Sequence, residues 1–286
     1  MSVLKRILGG GDESIRRARR PQELAASRGR AATEGLDWLG WRPGPRAPLL
    51  YRLLLGIGEF VLYRVCAIRV EIEGREHLPA GGYILAGALH RSWIDPLIVL
   101  RALPREPRPW FLGSAATAFD KRWKERLLHH TGGMLPVWRG GADIDVHVRA
   151  ARAVVDEGAV LALFIEGAIV GPPDRVHPGI RSGSGLLALR TQAPIVPFAL
   201  AGAGELYRGK RIVVRILPPV RVEQLLDDEW PGQPPAPNTR DELRLARRLA
   251  RALAERIDAQ MEELVARTVD APDHTRRWRW LTRLLR

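Results

Sequence analysis

The sequence predicts an α/β domain built on a mixed, largely parallel sheet flanked by helices. Three observations carry that prediction. Short apolar runs recur at residues 68–72, 83–89, 159–165, 195–200 and 211–217. Stretches of helical period, such as 146–157 and 184–191, lie between several of them, and this alternation is the pattern of parallel βαβ construction. Finally, chemically capable side chains follow the apolar runs directly: His90 after 83–89, Arg139 after 134–138 and Glu166 after 159–165. In open α/β sheets the ligand crevice lies beyond the carboxyl ends of the strands, where those residues would stand.

Composition narrows the partners. The chain has 286 residues, enough to bury a sizeable core, with 46% hydrophobic and 27% charged residues. Its formal net charge of +13 calls for an anionic partner, namely nucleic acid, an anionic membrane surface or a phosphorylated substrate. A single cysteine, Cys66, excludes an intramolecular disulfide framework and a cysteine-rich zinc site. The first 20 residues are too charged for a secretory leader, and no apolar run reaches the ~18 residues of a simple membrane span.

Taken in order, residues 1–46 read as a basic arm with Arg16, Arg17, Arg19 and Arg20, broken by Arg42-Pro43-Gly44-Pro45. Residues 48–65 form a helix with Arg52, Gly56, Glu59 and Tyr63 on one narrow stripe and apolar residues over nearly everything else. Such a helix is either buried in protein or lies in a bilayer interface. Strand 68–72 turns at Glu73-Gly74, and 83–89 is a buried strand leading to His90. A helix from Asp95 ends near Pro104; then come strand 110–112, basic helix 121–130, strand 134–138, helix 146–157 and strand 159–165. Helix 184–191 and strands 195–200 and 211–217 complete the domain, which spans 47–225. Residues 226–286 hold a proline-rich linker, a long amphipathic helix and a basic tail. Thr239-Arg240-Asp241-Glu242 is a capping box for that helix. Leu243, Ala246, Leu249, Ala250, Leu253, Ile257, Met261 and Leu264 give it one apolar face, to dock on the core or to pair with a second copy. The tail Arg276 to Arg286 places tryptophan beside arginine, as suits insertion at an anionic lipid surface.

The chemistry concentrates in His90-Arg91-Ser92-Trp93-Ile94-Asp95. A histidine titrates near neutrality and can take a proton from a hydroxyl, while a carboxylate five residues on can fix its tautomer. Ser92-x-x-Asp95 also resembles a capping box, and both readings are compatible with a strand-to-helix turn.

With these pieces the sequence resembles the lysophospholipid acyltransferase family, the 1-acylglycerol-3-phosphate acyltransferases and their relatives. Four blocks match in order across about residues 70–220: the His-x4-Asp block at His90 and Asp95, Gly133 to Arg139, Phe164-Ile165-Glu166-Gly167, and Ala193-Pro194-Ile195-Val196-Pro197. The resemblance implies transfer of a fatty acyl group from acyl-CoA or acyl-ACP to a lipid hydroxyl. His90 would be the general base and Asp95 its partner, with Ser92, Arg139, Glu166, Gly167 and Arg181 around the acceptor. It implies no bound cofactor and no metal, and places the enzyme at the cytoplasmic face of a membrane, peripheral or monotopic. The third block departs from the family pattern: Ile165, Ala168 and Ile169 stand where proline, threonine and a phosphate-binding arginine are usual. Leu89 stands where many members have asparagine.

Two other functions compete. A catalytically altered, lipid-binding relative on the same scaffold is favoured by the changed third block and opposed by the retained His90 and Asp95. Nucleic-acid binding is prompted by charge alone, and no nucleic-acid module is recognisable. A serine hydrolase is opposed by Ser182-Gly183-Ser184-Gly185, which lacks the Gly-x-Ser-x-Gly elbow and its preceding strand.

Overall fold

The computed structural model describes residues 48–114, 121–131, 133–137, 144–176, 180 and 182–284. The basic arm 1–46, Arg139 and Arg181 lie outside them.

Helix α1 (Leu49–Glu59) runs into a π-helical turn, Phe60–Val65. Then follow β1 (Arg69–Glu73), β2 (Tyr83–Ala88), α2 (Asp95–Leu100), β3 (Trp110–Ser114), α3 (Arg122–Thr131) and β4 (Met134–Val137). After these come α4 (Ile144–Asp156), β5 (Val160–Phe164), α5 (Gly183–Thr191), β6 (Ile195–Ala201), β7 (Arg211–Ile216) and α6 (Val222–Leu226). Helices α7 (Arg240–Asp258), α8 (Met261–Arg267) and α9 (Trp280–Leu284) finish the chain. Among the described residues seven strands form one sheet in the order β1-β7-β6-β2-β5-β3-β4, with β6 and β7 antiparallel and the other neighbouring strands parallel.

Every residue of β2, β5 and β6 is buried, because helices cover both faces of the sheet. Side chains alternate between two cores. Ile84, Ala86, Leu161, Leu163 and Ala199 join the core under α4, α5 and α7. Tyr83, Leu85, Ala162, Phe164 and Phe198 join the one under α2 and the π-helical turn.

The long helix docks on the core instead of offering an oligomer seam. Its face is Leu245, Ala246, Leu249, Ala250, Leu253, Ala254 and Ile257, all buried. Leu243 falls off that face and is 40% exposed, because the stripe starts two residues later than the sequence pattern indicates. Close contact with α5 depends on Gly185, where a Cβ would lie 2.0 Å from the Ala246 carbonyl oxygen. At the other end of α5, the buried Arg190 guanidinium bonds Glu242 at 2.6 and 2.9 Å, together with Asp145 and Asn238. Thr239 caps α7 by accepting from the Glu242 amide at 3.2 Å. The Glu242 carboxylate completes no reciprocal box; it serves Arg190 and the Asn238 amide instead.

Helix α1 has no buried residue. It rests on the domain through Tyr51, Gly58 and Glu59, while Arg52 and Gly56 of the expected stripe are exposed. Gly58 abuts Leu97, Tyr51 lies by Gly133, and Glu59 pairs with Arg105 at 2.9 Å. Leu49, Leu53, Ile57 and Phe60 face outward, Phe60 being 60% exposed. Among the described residues nothing buries Leu49–Glu59, whereas Leu62 in the following turn is buried in the core. No helix among the described residues is long and apolar enough to cross a membrane.

Candidate active site

Strands β2 and β5 pair in parallel with Gly87 beside Phe164. That register makes neighbours of the residues leaving their carboxyl ends, His90 and Glu166. Leu89 turns the chain there with φ of 68°, in the left-handed region that costs a side-chain-bearing residue about 1–2 kcal/mol. Three contacts hold it. The Leu89 side chain is buried in the core, its amide donates to Glu166 Oε1 at 2.6 Å, and the Val170 amide donates to the His90 carbonyl at 2.7 Å.

Asp95 opens α2 and is fully buried. Its Oδ2 accepts from the Arg91 amide at 2.6 Å and the Ser92 amide at 2.8 Å, and faces His90 Nδ1 at 2.9 Å. Its Oδ1 accepts from Ser92 Oγ at 2.7 Å. The sequence pattern's capping box is thus a cradle of donors around one carboxyl group. Since Asp95 acts as acceptor throughout, the ring presents Nδ1–H to it and keeps Nε2 as its basic nitrogen.

The imidazole is also fixed from below. It stacks on Phe164 at 4.3 Å between centroids, with 11° between planes. Phe164 meets Phe198 edge-on at 5.6 Å. The Phe198 ring occupies the space beside Gly87, where a Cβ would lie 1.9 Å from it. With 18% of its side chain exposed, His90 stays within reach of a substrate.

Glu166 is buried, and burial pushes its carboxyl above the usual carboxylate range. One oxygen serves the Leu89 amide; Oε2 has no hydrogen-bond partner among the described residues. Gly167 follows with φ of 64°, and its amide donates to the Phe164 carbonyl at 3.0 Å. The structure thus brings His90, Ser92, Asp95, Glu166 and Gly167 together.

Sequence reasoning gives Arg91 no part, yet it is buried and organises the rim. Its guanidinium donates to the carbonyls of Val170, Gly171 and Pro173 and to Asp174 Oδ1, the last at 2.7 Å. Nothing in the pattern distinguishes it from the exposed Trp93 two positions on. Phe198 and Gly87 are likewise silent in the pattern, save that a glycine inside a continuous apolar strand can signal a close approach. The clamped rim displays Ile169, 45% exposed, just before the Val170 amide that binds His90. Among the described residues no group of three or more His, Cys, Asp or Glu side chains is arranged to hold a metal ion.

Fold and site together define an α/β enzyme with a histidine–carboxyl pair where the central strands end. Residues 69–201 match the family model described as Acyltransferase, a span from β1 through β6 that encloses every site residue named above. Over that span the chain is similar to acyltransferases, which supports its reading as an O-acyltransferase. Among solved structures, the 1-acyl-sn-glycerophosphate (LPA) acyltransferase PlsC of Thermotoga maritima is similar at 19% identity, with a TM-score of 0.48, over 75% of this chain and 81% of that one. A likeness at that level assigns no residue role and no substrate. Comparison with curated protein sequences gives no match.

Proposed function

We propose that the protein transfers a fatty acyl group from acyl-CoA or acyl-ACP to the hydroxyl of a lysophospholipid or related lipid, at the cytoplasmic face of a membrane. The observation that carries this reading is the 2.9 Å approach of His90 Nδ1 to an Asp95 carboxyl already held by three other donors. His90 Nε2 removes the acceptor's hydroxyl proton as the oxygen attacks the thioester carbonyl. The C–S bond breaks, the thiolate leaves and takes the proton back from the imidazolium, which Asp95 stabilises meanwhile. A thioester is already activated, so no acyl-enzyme and no bound cofactor enter the scheme.

Glu166 positions His90 through the Leu89 amide and offers its second oxygen to the acceptor. Arg139 and Arg181 supply cationic charge for an anionic acceptor group, a guanidinium being suited to bidentate phosphate binding. The outward apolar side of α1 lies in the lipid interface, so acceptor and site meet at the bilayer surface.

Ile169 on the rim favours one other reading, a lipid-binding relative without activity. A lipid-acceptor panel with radiolabelled acyl-CoA and acyl-ACP, run with wild type and His90→Ala, separates the two. Transfer by wild type that falls about 10²–10⁴-fold in the variant supports the mechanism. Equal activity of the two proteins removes His90 from it, and vesicle binding without transfer to any acceptor favours the inactive relative.

A further inference from the structure

After α8 the chain returns to the domain and is pinned beside the end of the π-helical turn. The Ala271 amide donates to the Tyr207 hydroxyl at 2.9 Å, and Thr282 Oγ1 bridges the Leu206 amide and carbonyl at 2.8 and 3.0 Å. Leu281 is buried in the core that also holds Leu62 and Cys66. Arg276 and Arg279 both pair with Glu205. One dipeptide joins the two segments: the Arg208 amide donates to the Arg277 carbonyl at 2.9 Å, and the Gly209 amide to the Cys66 carbonyl at 3.0 Å.

What this arrangement leaves outside is mainly apolar and cationic, with the exposed Asp273 paired to Arg276 and Arg279 at its edge. Trp278 and Trp280 are exposed, Trp280 by 55%, with ring centroids 6.4 Å apart. Arg277 and Arg283 flank them, also exposed, and residues 276–284 contain no acidic side chain. On the adjoining turn, Phe60, Val61, Arg64 and Val65 are exposed as well.

We infer that the C-terminal tail and the end of the interfacial helix form one continuous surface, on which the tail is a second bilayer anchor selective for anionic lipid. Two attachment points, instead of one helix, fix how the domain sits on the membrane. Indole rings settle at the headgroup level, and arginines beside them are attracted to anionic lipid. A second copy of the chain is the weaker occupant, because a two-fold pairing of this surface would oppose arginine to arginine. The inference rests on the lipid-surface part of the proposed function and is independent of acyl transfer.

The test uses full-length protein and vesicles of phosphatidylcholine, alone or mixed with phosphatidylglycerol. The variants are wild type, Trp278→Ser/Trp280→Ser, Arg277→Gln/Arg283→Gln and, in α1, Leu53→Ser/Ile57→Ser. All substituted side chains are exposed, so unchanged melting temperatures are expected. Both tail variants should lose about tenfold in partitioning onto the anionic vesicles, the arginine pair at about fivefold per charge at most. The arginine effect should fade at high salt, and the tryptophan effect should persist. The α1 variant should weaken binding to both vesicle types. Tail variants that bind like wild type, beside an α1 variant that does not, overturn the tail inference alone. Wild type that sediments with neither vesicle removes the lipid-surface reading itself. A dimer in solution that the tail variants dissociate assigns the surface to a second copy and overturns the proposal.

Discussion

The amide of Leu89 and the carboxyl of Glu166 are joined by a 2.6 Å hydrogen bond across 77 positions of sequence. That bond fixes the left-handed turn from which His90 projects. Glutamine at 166 can keep the acceptor oxygen, whereas alanine leaves a buried N–H unsatisfied at a cost of about 1–3 kcal/mol. Glu166→Gln should therefore fold like wild type and lose less activity than Glu166→Ala. Its pH profile should differ too. Because burial raises the folded-state pKa, this group's contribution to stability is present below its unfolded pKa and is lost as pH rises through the folded one. Thermal melts between about pH 4 and 8 should show that slope in wild type and not in Glu166→Gln.

Asp95 meets donors on all sides, so an amide in its place presents N–H groups to N–H groups. Asp95→Asn should lower kcat by about 10²–10⁴-fold, with KM for the acyl donor little changed. Ser92→Ala removes only the hydroxyl at 2.7 Å from Oδ1 and leaves both main-chain donors and His90 in place. Its loss should be far smaller, about tenfold or less for one hydrogen bond. Steady-state kinetics on the two proteins side by side decide this, and equal losses would contradict a cradle in which the main-chain donors and His90 dominate.

Gly87 carries no chemistry but sets the ring column beneath His90. A methyl group there would lie 1.9 Å from the Phe198 ring, and that ring supports Phe164, on which the imidazole stacks. Gly87→Ala should destabilise the fold by about 1–3 kcal/mol through overpacking and reduce kcat beyond what the stability loss explains. Gly56 is the control. It lies in α1, where an added methyl group would meet nothing within 4 Å among the described residues, so Gly56→Ala should stabilise the helix by up to about 1 kcal/mol. Denaturant titrations of both variants give the sign directly.

How much of this was legible in the sequence follows from which interactions are local. The strand–helix alternation was readable because β2, β5 and β6 are covered on both faces and so are apolar throughout. His90 and Asp95 were readable because they stand five residues apart across one capped turn, within a single local motif. The Leu89–Glu166 bond, the Arg91 clamp on 170–174 and the Phe198 column depend on which strands are neighbours, and sequence order does not say that β2 lies between β5 and β6. Leu243 was misplaced for a related reason. The docking stripe of α7 is set by where Gly185 and Arg190 of α5 meet it, not by the first leucine of the helix. For Leu89 the structure supplies a reason why asparagine suits that position: φ is 68°, a region asparagine tolerates better than leucine.

The buried pair of Arg190 and Glu242 ties α5 to α7 and should govern the acid limb of stability. The guanidinium bonds hold the Glu242 carboxyl below the usual carboxylate range, against the opposing effect of burial, with the Asn238 amide assisting. A folded pKa below the unfolded one means stability present in full above about pH 4.5 and lost as pH falls through the lowered value. Glu242→Gln should flatten that limb. At neutral pH it should also cost about 3–5 kcal/mol, since it leaves a buried guanidinium without its main counter-charge. Replacing both partners, as in Arg190→Met/Glu242→Leu, should recover much of that loss, because apolar side chains of similar size need no charge to be buried. Equilibrium unfolding of the three proteins from about pH 3 to 7 tests both parts, a range that brackets the ordinary carboxylate pKa. A double variant no more stable than Glu242→Gln would mean that the remaining partners, Asp145 and Asn238, carry the contact between the helices.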